Sequence, residues 1–245
     1  MDIVYYFASY FATIHDNHKD TTTEKNSFEY IRNYYNSIMS LSGNIVCYII
    51  HDHLDNSFVK RYQNKKIIFI KIDINDDNKL QPHDLRFIEI FKIIKNNPKI
   101  QYIFMTDISD CIVIKNGLPL LKNNNYLYIC QEGENIYDNK WMENYLKYIY
   151  EKYFIDFTIC QSFNGKRILN SGIVGGTRDL IIKFLEKLVM FINAMCVQKD
   201  GKPIDMIAIN FIAYTYFPNL IYTGVYLHTR FGFREYNNSR YFKHK

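Results

Sequence analysis

The chain has 245 residues, 48% hydrophobic and 22% charged, which excludes a disordered chain and allows a core that needs no disulfide or metal staple. Ten glycines and five prolines exclude collagen-like and linker-like sequence. The net charge of +5 is spread over scattered lysines, with no basic run longer than two such as Lys65-Lys66, so no nucleic-acid partner is expected. Aromatics reach 17%, but Ile, Asn, Lys and Tyr all have A/T-rich codons, so this richness is read as genomic bias.

In chain order, Ile3–Phe11 is a β-branched and aromatic run that predicts a buried strand. A polar loop, His15–Asn26, follows. Ser27 is placed to cap a helix with apolar positions Phe28, Ile31, Tyr35, Ile38 and Met39. Ile45–Ile50 and Ile67–Ile72 predict strands separated by a short helix near Ser57–Tyr62. Asp84 is expected to cap a helix carrying Leu85, Ile88 and Phe91, stopped by Pro98, before a strand at Tyr102–Met105.

This β-α-β-α-β-α-β order predicts an α/β fold with a mostly parallel sheet covered on both faces. Ligands then bind outside the carboxyl ends of the strands. Further on come a strand at Tyr126–Cys130 and a helix at Trp141–Tyr150. Leu169–Val174 reads as a strand or tight turn, ahead of a long helix capped by Thr177. A buried helix at Met206–Tyr216 and a strand at Leu220–Leu227 complete one domain, 1–245.

Five cysteines, Cys47, Cys111, Cys130, Cys160 and Cys196, form no CxxC pair and read as reduced, mostly buried thiols. The N-terminus lacks the basic region of a signal peptide, and no run of about 18 apolar residues exists. A cytoplasmic protein with no membrane partner is the expectation.

Four features carry chemistry. Asp107 and Asp110 lie between two apolar runs. Positions i and i+3 of a strand face opposite ways, so the two converge only across a turn, where they would suit Mg²⁺ or Mn²⁺. An ordinary surface turn is the competing reading. The string Gly165-Lys166-Arg167-Ile168-Leu169-Asn170-Ser171-Gly172 brackets an Asn-Ser pair with glycines ahead of a predicted helix N-terminus, where backbone could approach a ligand; a plain tight strand–helix turn is an equal reading. Asp205 opens an apolar helix, where an acid could equally serve the helix dipole. His228, although a lone histidine is usually structural, offers a nitrogen that suits Mn²⁺ better than Mg²⁺, and Arg234 could supply a fork for a diphosphate.

In this order, the four features resemble a metal-dependent glycosyltransferase of the GT-A class, closest to the glycosyltransferase domain of the multifunctional procollagen lysyl hydroxylases. Asp107–Asp110 matches that family's D-x-x-D, and Gly165–Gly172 its G-K-R-x-L-N-S-G string. Asp205 matches its helix-opening acid. His228 and Arg234 match its final histidine ligand and the basic residue six positions on. The sequence departs in carrying Ile108-Ser109, with no aromatic, inside D-x-x-D, and only Asp200 and Asp205 where the family has a run of acids. Trp141 lies further along than the family's tryptophan, with Ile136-Tyr137 nearer its place.

The resemblance implies a GT-A-like sheet and Mn²⁺ held by Asp107, Asp110 and His228. It implies Asp205 and Asn170 as catalytic residues, and substrate contacts from Ser9, Ser171, Gly172, Arg234 and Trp141. It further implies transfer of a hexose, glucose by preference, from a UDP-sugar to galactosyl-hydroxylysine of a collagen-like polypeptide, with retention of configuration. Together with the composition it suggests a free-standing giant-virus enzyme, at work in the viral factory or host cytosol. The alternatives are a glycosyltransferase building another viral surface glycan, a nucleotidyltransferase, and a non-catalytic sugar-binding protein. The glycine-free stretch Ala8–Asn17 argues against the nucleotidyltransferase.

Overall fold

A computed structural model describes residues 2–74, 80–153, 161–196, 203–224, 226–228 and 240–244. The N-terminal run forms β1 (Val4–Tyr10), and the polar loop after it folds back as a small hairpin, β2 (His15–Asp16) and β3 (Thr21–Thr22). Helix α1 (Phe28–Ser40), β4 (Ile45–His51), α2 (Asn56–Tyr62), β5 (Ile67–Lys71), α3 (Pro82–Asn96) and β6 (Tyr102–Thr106) continue the predicted alternation. Ser27 holds the N-cap position of α1, though its side chain makes no cap bond. Asp84 is not the cap of α3: Gln81 takes that position, and buried Asp84 accepts the Ile204 N–H at 3.0 Å.

After β6 come β7 (Cys111–Val113), α4 (Leu118–Lys122), β8 (Leu127–Asn135), α5 (Lys140–Tyr153) and β9 (Arg167–Thr177). The chain then runs through α6 (Arg178–Cys196), α7 (Asp205–Tyr216), β10 (Ile221–Tyr222), β11 (Leu227–His228) and β12 (Phe242–His244). The strand read at Leu220–Leu227 is thus divided into β10 and β11.

Among the described residues the main sheet has the order β5-β4-β1-β6-β9-β8-β11-β12-β7, with β10 pairing β8. The first four strands are parallel neighbours, and only β9 and β7 run against the rest. The fold is therefore α/β, with a mostly parallel central sheet flanked by helices. Both faces are buried, so β1 alternates between two cores. Tyr5 and Phe7 point to the face covered by α3, α6 and α7, whereas Val4, Tyr6, Ala8 and Tyr10 point to the face covered by α1 and α2. Full burial of each such aliphatic or aromatic side chain stabilises by roughly 1.5–3 kcal/mol.

Strand order places the site. From β1 the chain steps outward to β4 and β5, then returns to the other side of β1 as β6. The direction of winding reverses between β1 and β6, and a crevice opens beyond their carboxyl ends. The hairpin after β1 and the N-terminus of α3 after β5 lie at the same edge. So does the start of β9, because β9 is antiparallel to β6.

Gly175 sits in β9 opposite Phe104 of β6 and Tyr128 of β8. A Cβ there would overlap the Phe104 ring, so glycine lets a fully buried aromatic lie across the strand.

Candidate metal centre

Asp107 leaves the end of β6 with its N–H donating to the Gly172 carbonyl at 2.9 Å. A bend over Ile108–Asp110 then brings Asp110 to the same side, as the i, i+3 argument requires. β12 pairs antiparallel with β7 and sets His244 opposite Cys111, the residue after Asp110. One ligand atom from each of Asp107, Asp110 and His244 lies within 4.8 Å of the others. His244 Nε2 is 3.0 Å from Asp107 Oδ2 and 3.7 Å from Asp110 Oδ1.

Octahedral coordination at about 2.1 Å puts adjacent donors about 3 Å apart and opposite donors about 4.2 Å apart. The two His244 distances fall on that scale, and two carboxylates with one imidazole suit Mn²⁺ or a neighbouring transition ion better than Ca²⁺. Gly172 supplies clearance: a Cβ at this position would overlap the His244 imidazole and lie 2.8 Å from Asp107 Oδ2.

His228, expected as the nitrogen ligand, lies with its backbone in β11 beside Lys243 of β12, and its side chain is outside the described residues. The imidazole that meets the two carboxylates belongs to His244. Arg234 also lies outside the described residues.

Arg86 ties the cluster to the helices. It is the fifth residue of α3, and helical side chains lean toward the N-terminus, so its guanidinium reaches back over the sheet edge. There it pairs with Asp107 Oδ1, donates to Asp205 Oδ2 at 3.1 Å and donates to the Ser171 carbonyl at 3.2 Å. Arg86 and Asp205 are both buried. Burial opposes the charge on Asp107, but Arg86 beside it and the hydrogen bond from His244 hold its carboxyl far below the usual carboxylate range. Burial likewise opposes charge on His244, yet the bond to Asp107 and the charges of Asp107 and Asp110 raise its pKa overall. Metal uptake must displace that proton, so affinity is expected to rise with pH.

Asp205 is the first residue of α7, where helix-dipole stabilisation also applies, but its carboxylate is committed to Arg86. Asn170, Ser171 and Gly172 do not precede a helix start. They lie mid-strand in β9, and α6 begins six residues later, so its N-terminus is no part of this site. Asn170 Oδ1 accepts the Gly172 N–H at 2.7 Å, while its Nδ2 donates to Glu132 Oε1 at 2.8 Å.

Two cavities share the cluster. One, about 430 Å³, is lined by Glu132, Trp141, Asn170, Ser171, Asp205 and His244 as well as both aspartates. The other, about 180 Å³, lies at the β1–β6 crevice and is lined by Ser9, Phe11, Tyr30, His83 and Asp107–Asp110. Ser9, Asn170, Ser171, Trp141 and Asp205 thus all face one of these spaces, and Trp141 is 44% exposed at the rim of the larger.

Sequence reasoning missed Arg86, Glu132 and His244. Glu132 follows the apolar run of β8 and could have been found as an acid at a strand's carboxyl end. His244 sits in the alternation Tyr241-Phe242-Lys243-His244, a short-strand pattern close to the chain's end. Arg86 lies among apolar residues of α3 and carries no local signal. Among the described residues no helix is long and apolar enough to cross a membrane. No family model matches the chain, and no curated protein matches it significantly.

Proposed function

We propose that this protein is a metal-dependent, UDP-sugar-using glycosyltransferase that transfers a hexose, glucose first among candidates, to galactosyl-hydroxylysine of a collagen-like polypeptide. The observation that carries the reading is the Asp107–Asp110–His244 cluster at the β1–β6 crevice, with one cavity on the strand-β1 side and another toward Asp205 and Trp141. The collagen acceptor and the retaining outcome rest on the Gly165–Gly172 resemblance.

Asp107, Asp110 and His244 would hold Mn²⁺, which as a Lewis acid stabilises a departing UDP. The smaller cavity takes the nucleotide end, where Ser9 borders the ligand. Asn170 is held by Glu132 and the Gly172 amide, and so presents a fixed amide edge to donor hydroxyls. Asp205, held by Arg86 and lining the larger cavity, would stabilise positive charge developing at the anomeric carbon. Trp141 offers a flat ring face to an acceptor sugar.

Calorimetry with UDP and Mn²⁺ tests the class. UDP binding is expected only with metal, and Asp107→Ala, Asp110→Ala and His244→Ala should each abolish it; absence of metal-dependent UDP binding in the natural protein overturns the reading. Mass spectrometry after incubation with UDP-glucose, Mn²⁺ and galactosyl-hydroxylysine should then show one added hexose. Transfer only to another acceptor would remove the collagen assignment and keep the enzyme class.

A further inference from the structure

We propose that the β2–β3 hairpin is the phosphate-facing wall of the donor site, with His18 and Lys19 contacting the diphosphate of a nucleoside-diphosphate sugar. This rests on the glycosyltransferase reading above.

Position is the first argument. His18 lines both cavities and Lys19 lines the smaller, so the hairpin tip stands where the two spaces meet at the aspartates. A diphosphate joining a nucleoside in one cavity to a sugar in the other must pass this point.

The second argument is preorganisation. The hairpin is fastened to the N-terminus of α3: the Asn17 N–H donates to Gln81 Oε1 at 2.9 Å, and the His83 ring meets Asp16 Oδ2 at 3.1 Å. Asp16 is buried and also accepts the His18 N–H at 2.9 Å, which fixes the backbone at the tip. A wall held this way presents its side chains without a large ordering cost on binding.

Charge is the third. Asp107 and Asp110 line the smaller cavity together with His18 and Lys19, so phosphate oxygens not directed at a metal on those carboxylates need positive charge or donors from the rest of the lining. Among the described residues no hydrogen bond occupies the His18 ring. Lys19 Nζ is 3.9 Å from Asp16 Oδ2, too long for a hydrogen bond, so its donors remain available. Arg86 also lines this cavity, but both its terminal nitrogens are committed to Asp107, Asp205 and the Ser171 carbonyl. Pro82 and His83 line the same space, so the first turn of the 15-residue α3 turns its positive end toward it.

The test is calorimetry on the full chain with Mn²⁺, titrating UDP and, separately, uridine into the natural protein and the double variant His18→Gln/Lys19→Gln. Both side chains are exposed, so the variant should melt with the natural protein. UDP affinity is expected to fall about tenfold or more, the scale of a lost charge-assisted hydrogen bond, with uridine affinity unchanged. Lys19→Arg, which keeps the charge, should bind UDP within a few-fold of the natural protein. Unchanged UDP affinity in the double variant, or an equal loss for UDP and uridine, overturns the inference while the function stands. Failure of the natural protein to bind UDP with Mn²⁺ overturns both.

Discussion

The two walls of the metal-facing crevice are built on opposite principles. The inner wall is Arg86, Asp107, Asp205 and His244, buried or half-buried charges already paired with one another. The outer wall carries exposed groups, His18 and Lys19 on the hairpin and Trp141 on α5, which stand free of that network. Buried charge must be compensated before any ligand arrives, so the inner geometry is fixed by folding itself. Exposed charge is solvated at little cost and can wait for a ligand. Substitutions inside should therefore disturb stability and binding together, and those outside should alter binding alone.

The largest effect is expected at the hub of the inner wall. Arg86→Met keeps length and apolar bulk but strands Asp107 and Asp205 as like charges, a loss of about 3–5 kcal/mol when one partner of a buried pair is removed. Urea unfolding measures it. Mn²⁺ should stabilise this variant more than the natural protein, since added positive charge replaces what Arg86 supplied and binding favours the folded state. An Arg86→Met protein as stable as the natural one without metal would show that the inner wall is not held by charge pairing.

A smaller effect separates the metal's geometry from ordinary packing. Gly172→Ala pushes a methyl into the His244 imidazole, and Gly175→Ala pushes one into the Phe104 ring. Each should cost about 1–3 kcal/mol by overpacking. Only Gly172→Ala should also weaken Mn²⁺ binding, by about tenfold or more, because only there does the displaced group belong to the ligand set. Equal Mn²⁺ affinity in both variants, read by calorimetry, would remove Gly172 from the site.

Legibility in the sequence divides along the same line. The parallel half could be read because its signals are local: apolar runs such as Ile45–Ile50, a 3.6-residue period in Phe28–Met39, and turn residues between them. Asp107 and Asp110 were found because two acids interrupting an apolar run are locally anomalous. The partners that complete the site come from far along the chain. Arg86 meets Asp205 across 119 residues, and His244 meets Asp107 across 137. No periodicity encodes such pairings; they follow from strand order, above all from β9 entering antiparallel and β12 returning beside β7. The Asn170–Gly172 segment shows the limit in another way. Its glycine reads as part of a turn before a helix, whereas the strand runs on unbroken and Gly172 leaves room for the His244 imidazole, as Gly175 further along leaves room for the Phe104 ring.

The smallest effect concerns the fastening between the two walls, the His83–Asp16 contact that holds the hairpin to α3. Burial opposes charge on His83, but the hydrogen bond it donates to Asp16 and the charge of Asp205 raise its pKa overall. Asp16 shifts the other way: burial would raise it, yet His83 and the His18 N–H bring it well below the ordinary carboxylate value. A raised histidine gives stability that is fully present below its unfolded value, near about 6.5, and lost as pH climbs through the folded value above that. A lowered aspartate gives stability that is present above its unfolded value, near about 3.9, and lost as pH falls through the folded value. The pair therefore contributes most between about pH 4 and 6.5. His83→Gln should lower the melting temperature by about 2–3 °C at pH 5, the equivalent of about 1 kcal/mol or less in a chain this size, and by progressively less toward pH 9. Melts in metal-free buffer across that range provide the check. A deficit that stays constant from pH 5 to 9 would mean that His83 acts by packing alone, and that Gln81 and the Asn17 amide suffice to hold the hairpin in place.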